Sequence, residues 1–305
     1  MKKNTTRFLC SLSVFGLTAV ILLFPEKSLY FALNGLNLWF RNMIPTLFPF
    51  MVLSGIMIRM NLTGSFIRLL KPFLFPVFRV NDECLYAILV GFLCGFPMGA
   101  NVSAQLCLRN KITRREAEFL LAFCNNIGPV YFISFVIPMI RASGLLPLLA
   151  GMYGLPLLYG IMLRHTVFRD LTPYRKPAGA AAPSASFLQS LDESVMASLH
   201  GITKLGGYMI FFNLLNILPA LFIRNRLAGG VISGLLEITG GIKLLKDSAP
   251  YVSLSLLPFG GMSCMAQTYS MIRDAELSLK KYMLHKLALT AVSAAYYFLL
   301  ASGSF

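Results

Sequence analysis

Acidic residues are scarce in this chain. Its 305 residues hold 12 Asp+Glu against 27 Lys+Arg, and charged residues of every type make up only 13%. Soluble domains carry roughly 25% charged residues, so a water-soluble globule is excluded. The 56% hydrophobic share and the mean hydropathy of +0.70 point to an all-α polytopic membrane protein. Cysteine pairing is missing as well. Cys10, Cys84, Cys94, Cys107, Cys124 and Cys264 form no CxxC motif and lie in or beside apolar segments. Small packing residues explain them, and neither a disulfide framework nor a metal site is expected. His165, His200 and His285 are scattered, with no HExxH pattern. No Walker or Rossmann motif and no soluble catalytic domain are present. The chain therefore reads as no enzyme, without a cofactor and without its own engine for ATP-driven pumping.

The formal net charge is +15, which raises nucleic acid as a partner. The basic residues argue against it, because they sit in loops between apolar runs and form no compact patch. That is the positive-inside bias of a membrane protein. The partners expected are a lipid bilayer, a small-molecule solute and, as an open possibility, a second copy of the chain.

In chain order, residues 1–28 hold Lys2, Lys3 and Arg7 and then a first span at 8–24, with no small-x-small cleavage site behind it. Residues 29–163 form a first half. It comprises a long helix at 29–58 kinked by Pro45 and Pro49, an interfacial stretch at 62–79, a hairpin at 84–108, a broken helix at 117–140 and a span at 144–163. Trp39 is expected near a membrane interface. Thr113 with Glu116 fits a capping box. Residues 164–190 are a cytosolic linker with an Ala/Pro/Ser tract. Residues 191–305 repeat the order: a long helix at 194–222, a hairpin at 228–249, a broken helix at 251–271 and a last span at 282–302.

The stretch from Gly91 to Phe132 organises the chain. It carries two interruptions in apolar sequence, Gly95-Phe96-Pro97-Met98-Gly99-Ala100 and Asn125-Asn126-Ile127-Gly128-Pro129. A helix of about 11 residues is only about 16 Å long, about half of a ~30 Å hydrocarbon core. It cannot span, and irregular backbone at membrane depth survives only when buried in protein or lining a wet cavity. Matching interruptions in two halves are a sequence pointer to a transporter site. With the N-terminus in the cytosol, Arg109, Arg115, Arg164, Lys176, Arg273, Lys281, Lys286 and most other basic residues fall inside. Lys27, Arg141, Arg224, Arg226, Lys243 and Lys246 fall outside. This topology inverts the two halves relative to one another.

Glu237 is the acidic residue placed deep in an apolar segment, at the tip of the second hairpin. A carboxylate there is expensive unless it faces a cavity or a partner; Lys204 and Arg41 are the candidate partners. The second legs of the hairpins start near Gly99-Ala100-Asn101 and Gly240-Gly241, where free N–H groups would offer anion sites. Asn125, Asn126, Thr239 and Ser263 are neutral hydrogen-bonding groups at the breaks. Ser103 and Gln105 are weaker candidates.

The words GFPMGA, FCNNIGP and EITGG, with GLLEITGG and LLPFGGMS, resemble YlbJ-type sporulation integral membrane proteins of the nucleoside-recognition (Gate) group. The resemblance covers about residues 34–291. It implies two re-entrant hairpins and two broken helices around a central site, as in concentrative nucleoside transporters. It also implies transport of a small polar or anionic solute, dipicolinic acid, across the outer forespore membrane. Gly95, Pro97, Gly99, Asn101, Asn125, Asn126, Glu237, Thr239, Gly240, Gly260, Gly261 and Ser263 are the expected solute-binding residues, with proton or sodium as coupling ion. The alternatives are a nucleoside or other metabolite as solute, or a non-transporting scaffold for spore-envelope assembly.

Overall fold

A computed structural model describes residues 2–140, 144–172, 186–246 and 248–303. Arg141, Arg175, Lys176 and most of the Ala/Pro/Ser tract lie outside the described residues. Every described element is helical. Five helices are long and apolar enough to cross a membrane: Thr5–Leu23, Pro25–Arg59, Leu145–His165, Phe187–Phe222 and Leu279–Ala301. The protein is a multi-pass, all-α membrane protein.

The two longest helices pack against each other and run antiparallel. Gly35 meets the backbone of Met209 and Ile210, Trp39 covers Gly206, and Gly55 meets Ser194. Small residues let the two backbones approach closely, which is the main source of helix association without a hydrophobic drive. Trp39 therefore clasps a partner helix, and its Nε1 donates to the Ile202 carbonyl at 2.8 Å. This packing role stands beside the expected position near an interface. The first long helix begins at Pro25, earlier than expected, and passes through a π-helical turn at Trp39–Met43. Its counterpart begins at Phe187, inside the expected linker.

Hairpin one has legs Asp82–Cys94 and Met98–Leu108. Asn81 caps the first leg by accepting from Cys84 N at 2.8 Å. Gly95, at φ +83°, turns the chain between them, a conformation that glycine adopts without cost. The Thr113–Glu116 capping box starts the helix Arg114–Phe123. This helix stops short because Gly128-Pro129 cannot continue it, and Pro129–Met139 resumes beyond an extended segment. The second half builds the same order. Hairpin two has legs Arg226–Leu236 and Ile238–Leu245. Helix Pro250–Leu256 and helix Gly261–Ile272 flank a break at residues 257–260, and Leu279–Ala301 closes the chain.

Two cores result. One surrounds hairpin one, with Phe78 stacked on Phe123 at 5.5 Å and Phe119 tilted against Phe123 at 5.0 Å. The other joins Phe132, Met152, Ile242, Leu254 and Tyr297. Phe96, at the hairpin-one tip, touches both.

Ion pairs link Arg59 to Glu193, Arg114 to Glu276, Arg115 to Asp170 and Lys281 to Glu118. Partners within bonding distance cannot lie on opposite faces of a ~30 Å core, so these chain segments share one end of the bundle. There the Arg115 guanidinium donates to Asp170 and holds its carboxyl below the usual range. The interfacial stretch is two short helices, Thr63–Ile67 and Lys71–Phe78, folded over hairpin one and tied to it by Lys71–Asp82 at 2.7 Å.

Candidate functional site

The two breaks and the two hairpin tips converge. Gly95 lies against the backbone of Gly128, and Gly91 and Gly99 lie against the Cys124 carbonyl. A methyl group on any of the three would collide with main chain, so hairpin one is seated directly on the first break. Gly260 and Gly261, both at positive φ, form the second break. Gly260 faces Phe96, and Gly261 faces the Leu236 carbonyl and the Glu237 backbone. Each hairpin tip thus touches the second broken helix.

A cavity of about 120 Å³ opens where these parts meet. Its walls include Phe96 of hairpin one, Gly128 and Tyr131 after the first break, Glu237 and Thr239 of hairpin two, and Cys264 and Gln267 of the second broken helix. Asn42 and Thr46 of the first long helix complete it. Four volumes of liquid water, about 30 Å³ each, would fill such a space. Among the described residues Glu237 is the one ionisable acid or base of Asp, Glu, Lys, Arg or His type in its wall. One carboxylate oxygen of Glu237 accepts from Gly240 N at 3.0 Å, which makes Glu237 the cap of the second leg. Tyr131 and Thr239 share a hydrogen bond at 3.0 Å, joining the first break to the second hairpin.

A second cavity, about 440 Å³, lies beside hairpin two. Thr239 borders both cavities. Gly240, Lys243, Arg224 and Asn216 belong to the larger one. Both polar atoms of Asn216 are buried without a hydrogen-bond partner.

The expected site residues divide. Glu237 and Thr239 face the central cavity. Asn125 and Asn126 do not; both are fully buried. Asn125 Oδ1 accepts from Ala100 N at 3.3 Å, and its Nδ2 donates to Tyr282 OH at 3.0 Å and Thr268 Oγ1 at 3.1 Å. Asn126 Nδ2 donates to the Phe123 carbonyl at 2.6 Å. Asn101 accepts from Gln105 at 3.0 Å, Ser263 accepts from Gln267 at 3.0 Å, and Ser103 donates to the Gly99 carbonyl at 2.8 Å. Pro97 leads into the second leg of hairpin one.

Four corrections follow from this geometry. The anion sites expected at the hairpin tips are filled by the protein itself, because Asn125 takes Ala100 N and Glu237 takes Gly240 N. Neither Lys204 nor Arg41 pairs with Glu237; Lys204 borders a separate surface pocket and Arg41 is exposed. Lys286, read as a loop charge, is fully buried in the closing helix. Its ammonium donates to the Asn125 carbonyl and, at 3.0 Å, to Asn126 Oδ1. Glu237 is also not alone in burial, since Glu116 is buried as part of its capping box.

Lys286, Tyr282, Thr268 and Tyr131 were the residues that sequence reading missed. For the closing helix a signal existed. Tyr282, Lys286, Leu289, Ser293 and Tyr297 are its buried positions, and their spacing of three and four is that of one helix face. Lys286 stands on that face, unlike Lys280 and Lys281.

No protein-family model and no solved structure matches the chain. A curated relative does: the sporulation integral membrane protein YlbJ of Bacillus subtilis (strain 168), 26% identical over 98% of this chain and 84% of the relative. The chain is similar to this membrane protein over nearly its whole length. The match runs through both halves of the chain, so the hairpins, the breaks and the buried Lys286 all lie within the shared length.

Proposed function

We propose that the chain is a membrane transporter of a small polar solute, with dipicolinate the candidate that the family resemblance names. The corresponding place is the outer forespore membrane during sporulation. The central cavity carries this reading. Both halves of the chain build it, at two chain interruptions that a passive helical anchor would not need. The antiparallel packing of the two long helices supports inverted halves and re-entrant hairpins. In alternating access, hairpin two would move against the first break, parting Tyr131 from Thr239 and joining the two cavities. An ionised Glu237 repels a dicarboxylate, so Glu237 accepts a proton when dipicolinate enters.

A second reading has its own support. Glu237 is the acid in the described wall of the cavity and no Lys or Arg joins it there, which favours a neutral polar solute such as a nucleoside. Uptake of labelled dipicolinate into proteoliposomes, competed by dicarboxylates and by nucleosides, tests both. Saturable uptake blocked by dicarboxylates is the expected result. Blockage by nucleosides alone moves the assignment to the second reading. Absence of uptake for every solute leaves the scaffold role.

A further inference from the structure

Lys286 is fully buried, and among the described residues it makes no ion pair. Its surroundings are nonetheless those of a cation site. The helix Arg114–Phe123 ends just before it, so the negative end of that helix dipole faces the ammonium. The Asn125 carbonyl and Asn126 Oδ1 supply oxygens. The ring faces of Phe96 and Tyr282 lie 4.8 Å and 5.7 Å from the ammonium nitrogen, within the ~6 Å range of cation–π attraction. Unwound carbonyls at the end of a half-helix are the groups with which transporters hold a coupling sodium ion.

We propose that the Lys286 ammonium is a tethered cation, occupying the place at the first break that a dissolved monovalent cation would otherwise take. The break is then closed at every stage of the cycle, and solute movement needs no sodium. Phe96 gives the charge a reach beyond its own pocket. Its ring borders the central cavity on one side and receives the ammonium on the other. The positive charge sits one ring behind the wall that carries Glu237's cavity, where it offsets the cost of admitting an anion. The function of this charge rests on the transport reading; the existence of the cation site does not.

The test replaces Lys286 in the full chain, purified in detergent, and compares unfolding midpoints in sodium, potassium and choline chloride. Lys286→Met removes the charge and the donors. Lys286→Gln keeps a donor of similar reach without the charge. Wild-type protein should melt at the same temperature in all three salts. Both variants should melt several degrees higher in sodium or potassium than in choline, because a cation bound only by the folded state stabilises it by mass action. Equal midpoints in all salts for both variants, or failure of both to fold in every salt, overturns the proposal. So does recovery of wild-type behaviour by Lys286→Gln, which would reduce Lys286 to a hydrogen-bond donor. In proteoliposomes, wild-type dipicolinate uptake should ignore the replacement of sodium by choline. Uptake by Lys286→Met should fall about tenfold in choline, as for a site emptied of its ligand. Absence of uptake in every sample defeats the transport reading and leaves the melting result to decide the cation site.

Discussion

The two buried polar centres of this protein are built to opposite rules. Around Asn125, Asn126 and Lys286, both asparagine side chains and the ammonium find partners, and none of the three lines either cavity described above. It ties together hairpin one, the first break, the second broken helix and the closing helix. Around Glu237, the carboxylate is held by Gly240 N and by Thr239, Thr239 also bonds Tyr131, and both residues border open space. A fully satisfied polar network rigidifies, whereas a partly satisfied one keeps capacity for another partner. The first centre is thus the fixed part of the molecule, and the second is the part with room for a ligand. Sequence placed Asn125 and Glu237 in one class, since both are polar residues in apolar runs. The contrast lies in what surrounds them.

The strongest blow to this contrast is Asn125→Leu. It leaves Ala100 N buried without its acceptor and removes two donor bonds, and each buried group so orphaned costs about 1–3 kcal/mol. A loss of about 3 kcal/mol or more is expected, read as a lower unfolding midpoint in detergent. A variant with a wild-type midpoint would remove the first centre's standing as a hub. Next comes Gly91→Ala, whose methyl group meets the Cys124 carbonyl. Overpacking of this kind costs about 1–3 kcal/mol, and unchanged melting would show that hairpin one is not seated on the break.

Tyr131→Phe probes the link between the centres. Deleting its bond to Thr239 should cost about 1 kcal/mol and raise the accessibility of a cysteine placed at the neighbouring cavity residue Ile238 to thiol reagents. Unaltered labelling would separate hairpin two from the first break. Glu237→Gln should change stability least among the buried sites. The glutamine carbonyl can still accept from Gly240 N, so a shift below about 0.5 kcal/mol is expected. Its effect belongs to function: flux should lose its pH dependence while solute binding persists. A fall in stability as large as that of Asn125→Leu would erase the contrast between the centres.

The surface pair Arg115–Asp170 supplies the baseline. Asp170 titrates lower in the folded chain than in the unfolded one. The stabilisation is therefore present above the ordinary carboxylate range and is lost as pH falls through the folded value. Asp170→Asn should flatten that acid-side loss and lower the midpoint at neutral pH only slightly, as loss of an exposed ion pair does. A large fall at neutral pH would mean that the pair contributes more than exposed ion pairs do.

Some of this was readable from particular residues. Gly95 and Pro97 mark the hairpin-one tip because one turns the chain and the other cannot continue a helix. Glu237 marks the second tip because a carboxylate does not sit within an uninterrupted apolar helix. Thr113 and Glu116 announce a helix start through a local motif. Lys286 was hidden because a lysine near the start of a span looks like its basic flank. Its burial depends on Asn125 and Asn126, which lie about half the chain away. The filling of the hairpin N-termini was hidden for the same reason, since Asn125 reaches Ala100 only across two elements.

Sequence alone determined the solvent, the helical class and the positions of the interruptions. Those follow from composition, from helix length against bilayer thickness and from local backbone rules, all of which act over a few residues. Tertiary structure decided which interruption is sealed and which is open. Asn125 and Glu237 obey the same local chemistry, but the closing helix brings Lys286 and Tyr282 to the first, and among the described residues no cation pairs with the second. That outcome depends on where distant helices place their few polar side chains, because in a dry interior each buried group takes its character from the partner that reaches it.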